Sequence, residues 1–483
     1  MKQLLTLVLA AMPLLVSAQS KNVTVDAVGQ LSKQIESSEK FKISELKISG
    51  PLNSSDIKFL QQIVCRTKAN EKKGEVVVTS VDLSEAVFTE GKAGIVTTKL
   101  PNSLFSGAEK LLKIVLPPHI TNISKNCFED CKSLLSIDIP SSVTEIESQA
   151  FQGCESLVAI SIPSDVTVIG SEAFEDCKAL KSIEIPENVK EIGNQIFNGC
   201  KSLCSVSIKG NVNKLGNEAF RNCESLASIS LPDDLKSIGS DAFRGCKSLK
   251  EIALPENTDE IGNSAFEDCK SLERIDLTNL QKIGSNAFEE CKSLTAVTFE
   301  KLSKLGSGAF KNCSAITTIN IEGSLDEINS NTFFGCTSLT SITLPATIKD
   351  IENSAFEKCQ SLTELEFPAS LTKIGSEAFK SCTSLQRAII PNMVKKIGSS
   401  AFEGCVSLDS VAVNGFVQEI DSRTFMKCNA LRSITLPTSV KKIDTKAFQE
   451  CTSLQSIELP AALTAIGDDA SRSAACSRAS SSL

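Results

Sequence analysis

Apolar residues return at fixed places along most of this chain, in a unit of 23 residues marked by a phenylalanine. With that phenylalanine as position zero, plus three is Cys, plus six is Leu, and plus nine and eleven are apolar, as in Ile137/Ile139, Ile160/Ile162 and Ile434/Leu436. An apolar–x–apolar pair has the period of a strand, with both side chains on one face. Proline usually follows at plus twelve, where it removes a backbone donor and ends the strand. Positions plus fifteen and eighteen are apolar again, as in Val143/Ile146 and Val440/Ile443. Their spacing predicts a tight or 3₁₀-like turn on the opposite side. The glycine that often follows permits positive φ there, and an Ala-Phe pair then caps the interior, Phe stacking on Phe.

Fifteen cysteines keep the phase from Cys131 to Cys451, with spacings of 23 except two of 22 on either side of Cys291. Phe105, Leu111, Ile114, Leu116 and Ile120 extend it upstream, with Ala108 in place of Cys, which makes 16 units from Phe105. A fixed period in the twenties is the mark of a stacked solenoid, whose coils bury their apolar faces only against neighbours. The expected architecture is a leucine-rich-repeat solenoid. It carries a parallel β-sheet on the concave face and short turns or 3₁₀ segments on the convex face, after a small α/β N-terminal cap. At about 4.8 Å per coil, 16 coils span on the order of 75 Å.

The consensus AFxxCxSLxSIxLPxxVxxIG, written out around Phe243, Cys246 and Leu249, resembles the BspA-like family of leucine-rich-repeat surface proteins. The resemblance covers Phe105 to about Gly467. It implies an exported or surface protein of a host-associated microbe, and several members are linked with adherence to host matrix proteins and to other cells.

The segments outside the array read differently. Residues 1–18 have the form of a signal peptide: Lys2, an apolar run from Leu4 to Val16, and a small-residue cleavage site at Val16-Ser17-Ala18. Residues 19–104 are expected to be the α/β cap. It comprises a short helix at Leu31 and Ile35, a strand from Phe41 to Ile48 broken by Gly50-Pro51, and a helix capped by Ser54 or Ser55 with Ile57, Leu60 and Val64 on its apolar face. A polar loop from Lys68 to Gly74 and a strand from Val76 to Leu83 complete it. The array is assigned 105–467. Residues 468–483 hold Ser471 where the next phenylalanine is due and Ala474 where the next cysteine is due. A disordered, truncated tail is expected there, ended by a frameshift or truncation.

Charge narrows the partners. Without Lys2 the chain has 49 Lys and Arg against 58 Asp and Glu, a formal charge of −9, which disfavours nucleic acid and anionic membrane. No run of about 20 apolar residues follows the leader, so no membrane insertion is expected. The cysteine column reads as buried thiols, each a small hydrophobe and weak donor toward loop backbone. Disulfides between coils and a metal array are the alternatives, and one Cys per coil does not supply the clustered ligands of a zinc site. Cys127 with Cys131, and Cys200 with Cys204, have C-x₃-C spacing because a repeat position is substituted, and Cys204 is the thiol expected to be exposed. The single histidine, His119, reads as a surface turn residue. There is no Walker A motif or dinucleotide fingerprint, and no cofactor or metal is expected.

The outward positions plus eight and plus ten remain. They are hydroxyl-rich and studded with carboxylates, the most charged stretches being Glu251/Arg274/Asp276 and Glu364/Glu366/Arg387. Tyr and Trp are absent, so contacts on this face are individually weak and affinity requires many coils at once. Together with what the resemblance to the BspA-like family implies, the reading is a non-enzymatic secreted or cell-surface protein that uses this face to adhere to host extracellular matrix or cell-surface proteins, or to glycans. Its rivals are a structural surface spacer without a specific ligand and an envelope hydrolase built around His119. Oligomeric state is not legible.

Overall fold

A computed structural model describes residues 19–65, 78–90 and 95–474. The expected signal peptide, the polar loop at Lys68 to Gly74, the first residues of the strand placed at Val76, and the tail from 475 with Cys476 lie outside the described residues. The chain forms two compact units, Met1–Leu180 and Lys181–Leu483.

The first unit opens with strands β1 (Gln19–Thr24), β2 (Ile43–Leu52) and β3 (Ser80–Glu90), paired in parallel in that order. The hairpin partner β4 (Ile95–Val96) runs antiparallel to the end of β3. Helix α1 (Leu31–Gln34) lies between β1 and β2 in sequence, and α2 (Ser54–Val64) between β2 and β3. The expected apolar face of α2 is buried, through Ile57, Leu60 and Val64. Its cap is Asn53, not Ser54 or Ser55: Asn53 accepts from the amides of Ser55 and Asp56, and Asp56 reciprocates by accepting from the Asn53 amide. The Asp56 carboxylate that completes this box also accepts from the amides of Gly29 and Leu31, at 2.6 and 2.9 Å, fastening the β1–α1 loop onto the helix. Gly50-Pro51 does not break β2. Gly50 takes φ +94°, and any Cβ there would lie 2.1 Å from the Val25 carbonyl oxygen, so the glycine lets two backbones meet within a continuing strand. Strand β5 (Lys113–Val115) pairs in parallel with β3, so this sheet runs directly into the first coil of the array.

Within each unit the coils stack in register. Ser136–Ile137 pairs in parallel with Ala159–Ile160 in the first unit, and Ala296–Phe299, Thr318–Ile321 and Ser341–Thr343 pair likewise in the second. The opposite side has the expected tight turn, the plus-fifteen amide bonding to the plus-twelve carbonyl as in Val143 to Pro140 and Val440 to Pro437 at 3.0 and 3.2 Å, but it does not end there. It carries its own parallel ladder of two-residue strands at plus seventeen and eighteen, such as Ser237–Ile238, Glu260–Ile261, Lys282–Ile283 and Lys304–Leu305. A 3₁₀ turn closes its hydrogen bonds within one coil. Coils in register exchange them with neighbours, and the apolar residue at plus eighteen points into the core. The two 22-residue spacings leave this ladder intact, because the missing residue falls in the corner, between Leu277 and Leu280 in one coil and between Phe299 and Leu302 in the next, where no pairing is lost.

The third side is a turn around the phenylalanine. Residues two before and two after it take positive φ in coil after coil, as Gln149 and Gly153 do around Phe151 and Asp241 and Gly245 around Phe243. This alternation aims the amide of each phenylalanine at the next coil, Phe151 bonding to Ala173 and Phe243 to Ala265 at 2.8 and 2.7 Å. The rings stack, with centroids 5.1–5.9 Å apart from Phe105 to Phe174 and from Phe197 to Phe448. The glycine after plus eighteen serves another purpose than the one expected of it. Gly239 and Gly262 are not in the left-handed region; a Cβ on either would come within 2.7 Å of backbone in the preceding coil. The turn pattern persists past the last phenylalanine: Asp469 and Ser473 have positive φ, and Ala470 and Ala474 are buried. Residues 468–474 thus form a coil, where a disordered tail was expected, because the inter-coil backbone bonds do not require the ring.

Three coils replace the corner proline by Lys209-Gly210, Glu322-Gly323 and Asn414-Gly415, and a Cβ at these glycines would lie 2.1–2.3 Å from a carbonyl oxygen of the preceding coil. At these coils the second ladder narrows to one bridge (Ile192 with Leu215) or is interrupted. At the second interruption the Asn329 amide donates to the Leu305 carbonyl at 2.9 Å, in place of the missing backbone bond. At the third, the equivalent residue is Asp421, whose ionised carboxyl has no proton to donate.

Two outcomes follow from this packing. Phe288 stacks on Phe266 and Phe310 and is fully buried; Phe288→Ala is expected to cost about 3–5 kcal/mol, read from urea unfolding, and a loss well under 1 kcal/mol would show that the stack contributes little. Burial, then the neighbouring Glu419 charge, raise the Asp421 carboxyl above its ordinary value. A folded-state value above the unfolded one means that the ionised carboxyl opposes folding. Asp421→Asn should therefore raise the melting temperature at pH 7, with the gain fading as pH falls through the carboxyl range. A gain that is the same at pH 3 and pH 7 would contradict this.

Candidate functional site

The outward positions of the first ladder are exposed because their neighbours are not. Along each strand the plus-nine residue enters the core and plus eight and ten face away, so Ile252 is buried while Glu251 and Ala253 are turned outward, and Ile275 is buried between exposed Arg274 and Asp276. Glu251 lies in register beside Arg274 on the adjacent strand. The surface there is a shallow groove of about 1050 Å³ whose walls include Ser228, Ser230, Glu251, Arg274, Asp276 and Thr295. Asp276 is turned locally, accepting from the amide and hydroxyl of Thr278 at 3.0 and 2.8 Å. The first charged stretch is thus brought together in one groove.

The second stretch is arranged differently. Glu364, Glu366 and Arg387 are all exposed, but the coil of Glu364 has no strand in the first ladder, whereas Arg387 begins Arg387–Ile390, paired with Ser410–Val413. The coil of Glu364 has Phe367 at plus eleven, half-buried and packed edge-on against Phe379. These three residues therefore do not share a ladder.

Exposed apolar residues were not among the sequence candidates. Position plus fourteen is polar in most coils, for example Ser142, Asp165 and Asn188, but Met393 and Phe416 occupy it in two consecutive coils and are 54% and 74% exposed. Departure of one repeat column from its own composition was the signal available.

The ladder thiols belong to the core. From Cys131 to Cys451 each ladder cysteine is buried. Cys131, Cys154, Cys246 and Cys382 each donate to the carbonyl of the phenylalanine one coil earlier, at 3.1–3.2 Å. Burial pushes the Cys336 and Cys405 thiols up to about 12, and that of Cys177 also upward. Cys127 is buried as well, while Cys204 is exposed, with its Sγ 3.3 Å from the Lys181 carbonyl oxygen. His119 sits half-buried in a turn, its Nε2 without a hydrogen-bond partner. Among the described residues no group of three or more His, Cys, Asp or Glu side chains is placed to hold a metal ion.

A family model described as BspA type leucine rich repeat region (6 copies) matches residues 98–227, 213–340, 303–432 and 372–478. A leucine-rich repeat protein from Bacteroides ovatus is 32% identical, over 69% of this chain and 86% of that one, with a TM-score of 0.62. A leucine rich cell surface protein from Faecalibacterium prausnitzii is 25% identical over 67% of this chain and 87% of that one, with a TM-score of 0.40. No curated protein matches.

Burial of the thiol column sets its reactivity, since the thiolate is the reactive form. In a Cys476→Ser background, a thiol reagent at pH 8 should label one cysteine rapidly, and Cys204→Ser should abolish that labelling. The rest should react only on unfolding. Fast labelling of several ladder cysteines in the folded protein would refute the buried column.

Proposed function

We propose, since the chain belongs to the BspA-type leucine-rich-repeat family, that it is an exported surface protein that binds macromolecules without catalysis. The surface it uses is the outward face of the first ladder, and its partners are host extracellular matrix or cell-surface proteins. The observation that carries this reading is the separation of the two side-chain sets. The inward set satisfies the fold, and the outward set at plus eight and plus ten forms exposed in-register columns, with Glu251, Arg274 and Asp276 lining one groove. Such a face offers polar, charge-patterned contact to an extended partner, and each coil adds a small increment. Among the described residues no helix is long and apolar enough to cross a membrane.

A spacer role accounts equally for the stacked coils but gives no reason for charges to gather in one groove. A hydrolase role rests on His119, whose Nε2 meets neither an acid nor a nucleophile among the described residues.

The test is surface binding of the purified mature protein to a panel of host matrix glycoproteins. A variant carrying Glu251→Gln, Asp276→Asn, Glu364→Gln and Glu366→Gln is run alongside. Saturable binding weakened by about tenfold or more, a change of about 1.4 kcal/mol, is the expected result. Binding to none of the panel by folded, monodisperse protein would favour the spacer, and binding indifferent to the variant would move the site off this face.

A further inference from the structure

We infer that the interruption of the second ladder at Phe416 is a binding site for a neutral sugar residue of a glycan. The ladder stops between Lys396–Ile397 and Glu419–Ile420. In neighbouring coils the residue after the strand donates its amide one coil back, as Gly398 does to Ile374 and Asp444 to Ile420. Among the described residues Asp421 makes no such bond to the Ile397 carbonyl. A groove of about 590 Å³ opens at the gap, lined by Lys395, Lys396, Ile397, Phe416, Gln418 and Asp421.

The chemistry of the walls selects the ligand. Phe416 is 74% exposed, where other coils mostly place a polar residue. A solvated aromatic face attracts flat apolar C–H surface, whose edges are electropositive. Around it stand donors, the Lys395 and Lys396 ammonium groups and the Gln418 amide. Acceptors stand there too: the Asp421 carboxylate and the Ile397 carbonyl, the latter without its ladder partner. A cation would meet the two lysines, and an anion would meet Asp421 and Glu419. A pyranose ring presents an apolar C–H face together with hydroxyls that both donate and accept, without charge, and so fits every wall. At the equivalent interruption Asn329 closes the gap itself, and the residue at plus fourteen there is Ser324; that gap has neither the platform nor the open acceptor.

This site lies on the second ladder and does not depend on the sheet-face reading, so the two can fail separately. The experiment is binding of the purified full chain to an immobilised array of neutral, acidic and basic oligosaccharides, with saturation-transfer NMR on the best neutral sugar. Phe416→Ala and the sheet-face quadruple variant are run in parallel. Neutral sugars should bind in the high micromolar to millimolar range, and Phe416→Ala should weaken this by about tenfold with an unchanged thermal melt. The quadruple variant should bind as the parent does. No neutral sugar bound, binding confined to charged sugars, or binding untouched by Phe416→Ala would each overturn the inference.

Discussion

Everything in the coils depends on how the backbone turns at the phenylalanine. Two residues of positive φ flank each ring, and the amide between them is delivered to the next coil. Non-glycine residues resist that conformation, yet Asp241, Glu377, Lys358 and many others adopt it. Local strain is thus repeated in coil after coil and offset by what the turn permits. The rings stack, the amide finds its carbonyl, and the thiol three residues on closes onto the carbonyl of the ring one coil earlier. None of these partners exists within a single coil, so order passes from neighbour to neighbour.

The thiols are the least expected part of this arrangement on the proposal that the protein is exported, since disulfides are the common staple outside the cell. Here the thiol serves as a small buried donor. Its dry surroundings keep it protonated, and a protonated thiol neither attacks a disulfide nor binds metal. A disulfide between successive coils would remove two donors and leave two phenylalanine carbonyls with one partner fewer, so the column is internally consistent as it stands.

Because the inward positions satisfy the fold, the outward ones are free to vary. Ion pairs between coils, such as Lys132 with Glu109 and Lys442 with Glu419 at 2.9 and 2.6 Å, lie on exposed surface and contribute little each. They keep the surface mixed in sign without dictating it. The places where the repeat is broken carry more information. The three glycine corners weaken the second ladder, and what fills each gap differs: a retained bridge at Ile192, an asparagine at Asn329, and an open groove beside Phe416.

The repeat itself was legible from residue order, because a 23-residue period with seven inward positions has one economical solution, and burial is written directly into composition at each position. The alternation around plus nine likewise places Glu251, Arg274 and Asp276 outside from residue order alone. What residue order left open were features that exist only between coils. The second ladder is invisible in one unit, since a two-residue strand has no period of its own and is defined by the coil beside it. The role of the glycine at plus nineteen turns on the distance to another backbone, not on its own φ. The Asn53 cap is completed by a carboxylate, Asp56, that also holds a loop 25 residues away. The groove at Phe416 arises because a corner glycine and a missing amide donor fall together at one step of the stack. Hydrogen bonds are directional and short, so which of them form between coils is settled only once the coils are in place.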